Sequence, residues 1–192
     1  MTAAIPSIAC LGIIGRNNNP LHMSVFPSHD SSNDAAPTPI RSALQFSLLL
    51  SSTIDIFELR AKNNAASGVG LSGDLGLLHA VDDRVAAYGF ETNTGVRMVC
   101  VVDMRGRSVA IQPGTAAAAA ARTAAAGLRD AELKPVFRAM QSAYVRLLQN
   151  PFFDPDEHAP LGGRGGRKIT SKKFSEDMKR IGEAWAPGVT TL

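Results

Sequence analysis

The sequence predicts an α/β fold of the α+β kind, in which an antiparallel sheet carries helices on both faces. Five short apolar runs have the length and composition of strands, and tight-turn residues separate neighbouring runs. Three longer segments place apolar residues at helical spacing. Because strands joined by tight turns run antiparallel, this pattern argues against a parallel nucleotide-binding sheet.

The elements follow the order β-β-α-β-β-β-α-α along the chain. The predicted strands are residues 7–16, 21–26, 75–81, 84–92 and 95–104. The predicted helices are residues 40–62, 133–148 and 169–186. Turn signals at Asn17–Pro20, Asp82-Asp83 and Asn93–Gly95 separate the paired strands. Since proline is tolerated only in the first turn of a helix, Pro135 predicts that the second helix starts late or bends there.

Length and composition are those of a globular chain with one core. The 192 residues suggest a single domain, 1–192, and 45% of them are hydrophobic. Low-complexity insertions are expected near 28–38, 63–73, 105–127 and 159–168. The net charge of +3 is too weak by itself to indicate a nucleic-acid partner.

The two cysteines and the N-terminus indicate the cellular compartment in which the protein is expected. Cys10 and Cys100 each lie inside an apolar run, which predicts buried thiols in a reducing compartment and no disulfide. The first apolar run is too short to span a bilayer, and it lacks the charged region and cleavage pattern of a signal peptide. A cytosolic protein is therefore expected.

No pattern of residues predicts catalysis, a cofactor or a metal. The glycine-rich 68–73 lacks the lysine of a phosphate-binding loop and follows a helix, where a strand is required. The four histidines are scattered, and no cysteine–histidine spacing suggests zinc. We therefore expect a protein that is not an enzyme.

A basic C-terminal region leaves two alternative functions open, RNA binding and membrane recruitment. GGRGGR at 162–167 resembles arginine–glycine segments that bind single-stranded RNA, although a flexible linker is the simpler interpretation. Lys172 and Lys173 follow on the last helix, and a basic helix can recruit a regulatory module to anionic membranes.

The first helix has two apolar sides. One side gathers the residues expected to pack on the sheet, which are Ala43, Phe46, Leu49, Leu50, Ile54 and Phe57. Leu44, Leu48 and Leu59 gather on nearly the opposite side, with Asp55 among them. An insertion or the N-terminal loop could cover this second side. We favour a partner-binding surface, with an apolar centre and one acidic group that fixes register.

NPFFDP at 150–155 follows the second predicted helix. Asparagine tolerates the left-handed conformation that ends helices, and Pro151 prevents continuation, so Asn150 is expected to close the helix. Phe152 and Phe153 are expected to pack back on the sheet or the third helix. The segment is thus predicted to be a structural corner and not an exposed peptide ligand.

Several short motifs, in order, resemble the sedlin family of the transport protein particle (TRAPP) complex, and its subunit 2-like branch more than sedlin itself. They are IACLGIIGRNNNPLHM at 8–23, Asp55, YGFETNTGVRMVCVVD at 88–103, LRDAELKPVFRAMQSAY at 128–144 and NPFFDP at 150–155. The VVD run and the Leu-Arg-Asp before the second helix favour that branch. The insertions and Pro135 depart from the family pattern.

The resemblance implies a longin-like (SNARE-like) fold, a five-stranded antiparallel sheet between one helix and two helices. It implies a non-catalytic adaptor that joins small core subunits of TRAPP to a large subunit. The complex activates Rab GTPases by nucleotide exchange in ER–Golgi and Golgi vesicle transport, so peripheral association with those membranes is expected. Asp55 matches an acidic position that the family uses for partner contact.

Overall fold

A computed structural model describes residues 2–28, 38–67, 73–110, 127–160 and 166–192. Predictions that fall on other positions, including most of the alanine-rich stretch, lie outside the described residues. Within these ranges the strands and main helices follow the predicted order.

The centre of the fold is an antiparallel sheet of five strands within the described chain. The strands are β1 (Thr2–Ile14), β2 (Pro20–Val25), β3 (Asp74–Ala80), β4 (Val85–Glu91) and β5 (Arg97–Ala110). Their order across the sheet is β2-β1-β5-β4-β3, so the long strands β1 and β5 lie side by side. All four pairings are antiparallel, which confirms the predicted sheet.

The main helices lie on both faces of the sheet. They are α1 (Ala43–Ser67), α2 (Lys134–Leu148) and α3 (Lys172–Ala184). The buried residues of α1 pack with one set of strand side chains, whereas those of α2 and α3 pack with a separate set on the other face. This arrangement of one helix against two confirms the predicted layers, and a short 3₁₀ helix precedes α2 at Asp130–Leu133.

Alternation along the central strands supplies both cores. On β5, Met98 and Cys100 face the α2–α3 side, whereas Val99 and Val101 face α1. Successive side chains of a strand point to opposite faces, so a strand covered on both sides reads as a continuous apolar run. The run around Cys100 is therefore buried on both faces of the sheet.

The starts of α2 and α3 follow from local sequence. Helix α2 begins at Lys134, which places Pro135 in the first turn as predicted. Ser171 caps α3, because its Oγ accepts a hydrogen bond from the Phe174 backbone N–H at 3.4 Å. Trp185, directly after α3, is fully buried and donates through Nε1 to the Glu132 carbonyl at 3.2 Å.

Three predicted boundaries are wrong by five residues or more. Helix α1 continues to Ser67, so the loop predicted over 63–73 is helical in its first part. The low-complexity stretch predicted from 105 is strand as far as Ala110, and β1 begins at Thr2. The reason is that these two segments pair with each other, with Ile5 opposite Arg107. Such pairing between distant segments stabilises a strand whose local sequence gives little signal.

The corner after α2 differs from the prediction in two respects. Asn150 keeps a negative φ and stabilises the turn through its side chain, whose Oδ1 accepts from the Phe152 N–H at 3.1 Å. Phe153 packs on the edge of the core with its ring 4.3 Å from that of His158, as expected for the corner. Phe152 is 95% exposed, so the prediction that it packs back is wrong. The turn directs these two adjacent side chains to different environments.

Candidate partner-binding surface

The inner side of α1 is fixed against the sheet. Phe46, Leu50 and Phe57 are buried, whereas Ala43, which the helical wheel also placed on this side, is exposed. Leu50 lies directly over Gly12 of β1, where an added Cβ would come within 2.6 Å of the leucine methyl carbons. The glycine therefore allows the helix to approach the strand closely.

Helix α1 is capped at its start and is anchored to the sheet towards its end. At its start, Ser42 and Gln45 form a reciprocal cap: Gln45 N donates to Ser42 Oγ at 3.3 Å, and Ser42 N donates to Gln45 Oε1 at 2.9 Å. Towards its end, the Arg60 guanidinium donates to the carbonyls of Leu75 and Leu77 on β3. The buried inner side and the Arg60 contacts hold the helix against the sheet, so its opposite side is directed away from the sheet.

That opposite side carries four residues, Leu44, Leu48, Asp55 and Leu59, which we call the outer row. The three leucines are 70%, 63% and 59% exposed, and Asp55 is also exposed. The positions lie on one side of the helix because residues four and seven apart face the same way. The structure therefore brings the predicted residues together on one surface, which no described segment covers.

Asp55 is the charged member of the outer row. No hydrogen bond or ion pair to its carboxylate occurs within the described ranges. Nearby polar groups are already engaged: Ser51 donates to the Ser47 carbonyl at 3.0 Å, and Glu58 accepts from Asn18 Nδ2 at 3.2 Å. Asp55 is thus available to a cation supplied from outside this part of the chain.

The outer row contrasts with ordinary surface residues. Single exposed apolar side chains are common, whereas three exposed leucines and an acid on one side of a helix form a candidate interaction site. Burial of such side chains under a partner would contribute about 25 cal/mol per Å² of apolar surface. The carboxylate would be desolvated in that complex, so it favours a partner with a matching cation.

A comparison with protein-family models finds a match to Sedlin over residues 13–184. The chain belongs to the sedlin family. The matched stretch includes α1 with the outer row, the strands from β2 to β5, α2 and α3. The longin-like fold expected from the family resemblance is the fold observed, with its sheet between one helix and two.

Two relatives of this sedlin-family chain are both named trafficking protein particle complex subunit 2-like protein. The protein of that name from Dictyostelium discoideum is 24% identical over 176 residues, which cover 91% of this chain and 95% of the relative. The protein from Mus musculus is 27% identical over 152 residues, covering 77% of this chain and 84% of the relative. The similarity therefore extends over most of both chains and supports the predicted branch of the sedlin family.

The described part of the sedlin-family chain offers little for chemistry. It contains no group of three or more His, Cys, Asp or Glu side chains that could hold a metal ion. Cys10 and Cys100 are buried and free, as predicted, and they lie on opposite faces of the sheet. Burial raises the pKa of the Cys10 thiol to about 12, so it is a poor nucleophile near neutral pH. No described helix is long and apolar enough to cross a membrane.

The structure also shows residues that the sequence analysis missed. Arg138 and Arg146 on α2 and Arg180 on α3 rim a cavity of about 300 Å³ between the two helices. A signal was available, since Arg138, Ser142 and Arg146 recur every four residues on one side of α2. Most of GGRGGR lies outside the described residues, so RNA binding by that segment stays a prediction.

Proposed function

We propose that this chain is a non-catalytic adaptor subunit of a TRAPP-type tethering complex. Membership of the sedlin family supports the proposal, as do relatives named as subunits of a trafficking protein particle complex. Its direct partners are other TRAPP subunits, namely small core subunits and one large subunit. A Rab GTPase is an indirect partner, which the assembled complex activates by nucleotide exchange in ER–Golgi and Golgi vesicle transport.

The outer row of α1 is the observation that carries this proposal. Three exposed leucines supply apolar surface, and the carboxylate of Asp55, which has no partner among the described residues, fixes the register of the partner. The partner surface is therefore apolar with a basic side chain opposite Asp55. An adaptor requires such a surface and needs no reactive group of its own.

The location follows from the same assembly. The chain acts in the cytoplasm and reaches Golgi and ER–Golgi membranes peripherally, through the complex. The nucleotide-exchange site belongs to the assembly, and this chain positions the other subunits within it. We expect no exchange activity from the isolated chain.

Affinity purification tests this function. The full-length chain, tagged and expressed at its natural level in its source cell, should co-purify with small and large TRAPP subunits. A Leu48→Arg variant should lose one neighbouring subunit, because a charge replaces apolar contact area. Recovery of a folded chain without any TRAPP subunit would refute the proposal. An unchanged set of partners with Leu48→Arg would refute only the choice of surface.

A further inference from the structure

The cavity between α2 and α3 combines a cationic rim with an apolar floor. Its volume is about 300 Å³. The guanidinium groups come from Arg138, Arg146 and Arg180, and the floor includes Ala139 and Ile181. Ser142 adds a hydroxyl group to the lining, and residues 190–192 form a further wall.

Two of the three arginines share one carboxylate. Asp177 Oδ1 accepts from Arg180 Nη2 at 2.9 Å, and Asp177 Oδ2 lies 3.8 Å from Arg146 Nη1. Arg138 is exposed, and it makes no ion pair or side-chain hydrogen bond with the described part of the chain. Arg146 and Arg180 therefore share one internal anion while Arg138 has none, and positive charge is left for an external ligand.

The charge of the chain is concentrated on this face. Helices α2 and α3 together contain seven basic and three acidic side chains, a formal charge of +4. The whole chain carries +3, so all other residues together sum to −1. On the opposite face, α1 has two acidic and two basic residues and is neutral. An anionic partner is therefore attracted to the α2–α3 side.

We propose that this cavity binds the phosphate of an anionic phospholipid headgroup and that the α2–α3 face lies against a membrane. The planar guanidinium group donates paired hydrogen bonds that match phosphate geometry, and the Ser142 hydroxyl is a further donor. The basic C-terminal helix considered above as a recruitment element forms one half of this face.

The distribution of charge favours a membrane over an acidic peptide. Exposed cations extend beyond the cavity along both helices, at Lys134, Lys172, Lys173 and Lys179. Anionic lipids present many headgroups across a surface, and each nearby Lys or Arg strengthens attraction to them. Lys134 and Lys179 already have partners in Asp74 and Glu183, at 3.9 and 3.8 Å, but a peptide that fills the cavity would leave Lys172 and Lys173 without a role.

This face is separated from the outer row by the sheet, so membrane contact leaves α1 free for a partner. The inference does not depend on TRAPP assembly. It therefore predicts membrane binding by the isolated full-length chain, whatever the fate of the adaptor proposal.

Vesicle sedimentation with the full-length chain tests the site. The vesicles are phosphatidylcholine alone, phosphatidylcholine with phosphatidylinositol 4-phosphate, and phosphatidylcholine with phosphatidylserine at matched surface charge. We expect binding to both anionic vesicles, tighter with the phosphoinositide, and none to phosphatidylcholine alone. Soluble inositol phosphate and a polyglutamate peptide are the parallel probes. A preference for either soluble ligand, without vesicle binding, would overturn the proposal.

Substitutions then separate the cavity from the surrounding charge. Arg138→Gln should weaken vesicle binding roughly fivefold, and adding Arg180→Gln should weaken it by a similar factor. Lys62→Gln on α1 removes the same charge from the opposite face and should have no effect. If Lys62→Gln weakened vesicle binding as much as the arginine variants, the arginine cavity would be excluded as the binding site. The same would hold if only Lys172→Glu and Lys173→Glu weakened vesicle binding. An unchanged thermal unfolding midpoint shows that each variant is folded.

Discussion

Arg84 engages both oxygens of the Asp103 carboxylate. Its Nε lies 2.8 Å from Oδ1, and its Nη2 lies 3.0 Å from Oδ2. Asp103 is completely buried, and the Ser28 hydroxyl and the Arg105 backbone N–H also donate to it. A buried carboxylate is tolerated only when it is paired and hydrogen-bonded. This network therefore joins the segment after β2 to β4 and β5.

Removing the arginine should leave that carboxylate without its counter-ion. For Arg84→Met we expect the free energy of unfolding to fall by about 3–5 kcal/mol, because a buried charge is left unpaired. Ser28→Ala, which removes one hydrogen bond to the same charged group, should cost less, about 1.5–3 kcal/mol. Urea unfolding followed by circular dichroism measures both. Equal small losses would show that the ion pair is not a stabilising element of the fold.

Two leucines on α1 distinguish its inner side from the outer row. Leu50→Ala should lower the free energy of unfolding by about 2–5 kcal/mol, because Leu50 is only 4% exposed and fills space above Gly12. Leu48→Ala, two residues away and 63% exposed, should change it by no more than about 0.5 kcal/mol. Chemical denaturation of the two variants provides the test. A large loss for Leu48→Ala would mean that another part of the chain covers the outer row.

The thiols should be inert in the folded protein. Burial raises the pKa of Cys10 to about 12 and raises that of Cys100 even further above its usual value. We expect neither thiol to react with a disulfide reagent at about pH 8 in native buffer, and both to react after unfolding in guanidinium. Thiol counting by absorbance measures this. Fast labelling of a native thiol would contradict the packing described for β1 and β5.

His22 should make stability depend on pH. Burial lowers its pKa below 6.5, so the folded chain favours the neutral ring. Because the unfolded chain has the higher His22 pKa, it takes up a proton before the folded chain does as the pH falls. The stability contributed by neutral His22 is therefore full above about pH 6.5 and is lost as the pH falls through the lower pKa of the folded chain. Wild type should therefore lose stability more steeply than His22→Gln between about pH 8 and about pH 5. If the stability of wild type and of His22→Gln changed with pH in the same way, a role for His22 would be excluded.

The sequence predicts most of the layer arrangement because its signals are local. Strand alternation and turn residues around Gly95 identify the hairpins, and Gly95 does adopt a positive φ of 78°. The two apolar sides of α1 are visible at helical spacing, and this is how Leu44, Leu48, Asp55 and Leu59 could be placed on one surface before the fold was known.

Features that depend on contacts between distant parts of the chain could not be predicted from the sequence in the same way. The pairing of Ile5 with Arg107 extends two strands through segments whose local patterns are weak. The Asp103 pocket requires Ser28, Arg84 and Arg105 to meet from three parts of the chain. Turn geometry alone exposes Phe152, whose composition suggested burial. In the first two cases tertiary structure overrides the local preference, and in the third a local turn does.

The most direct test of the adaptor account is co-purification with Asp55→Tyr. Glu176→Tyr on α3 is the matched control, since it places the same bulky ring at an exposed acidic position on the other face. Both variants should unfold at the wild-type temperature. The account predicts that Asp55→Tyr loses a TRAPP subunit that wild type and Glu176→Tyr retain. Unchanged recovery of every subunit with folded Asp55→Tyr would contradict it.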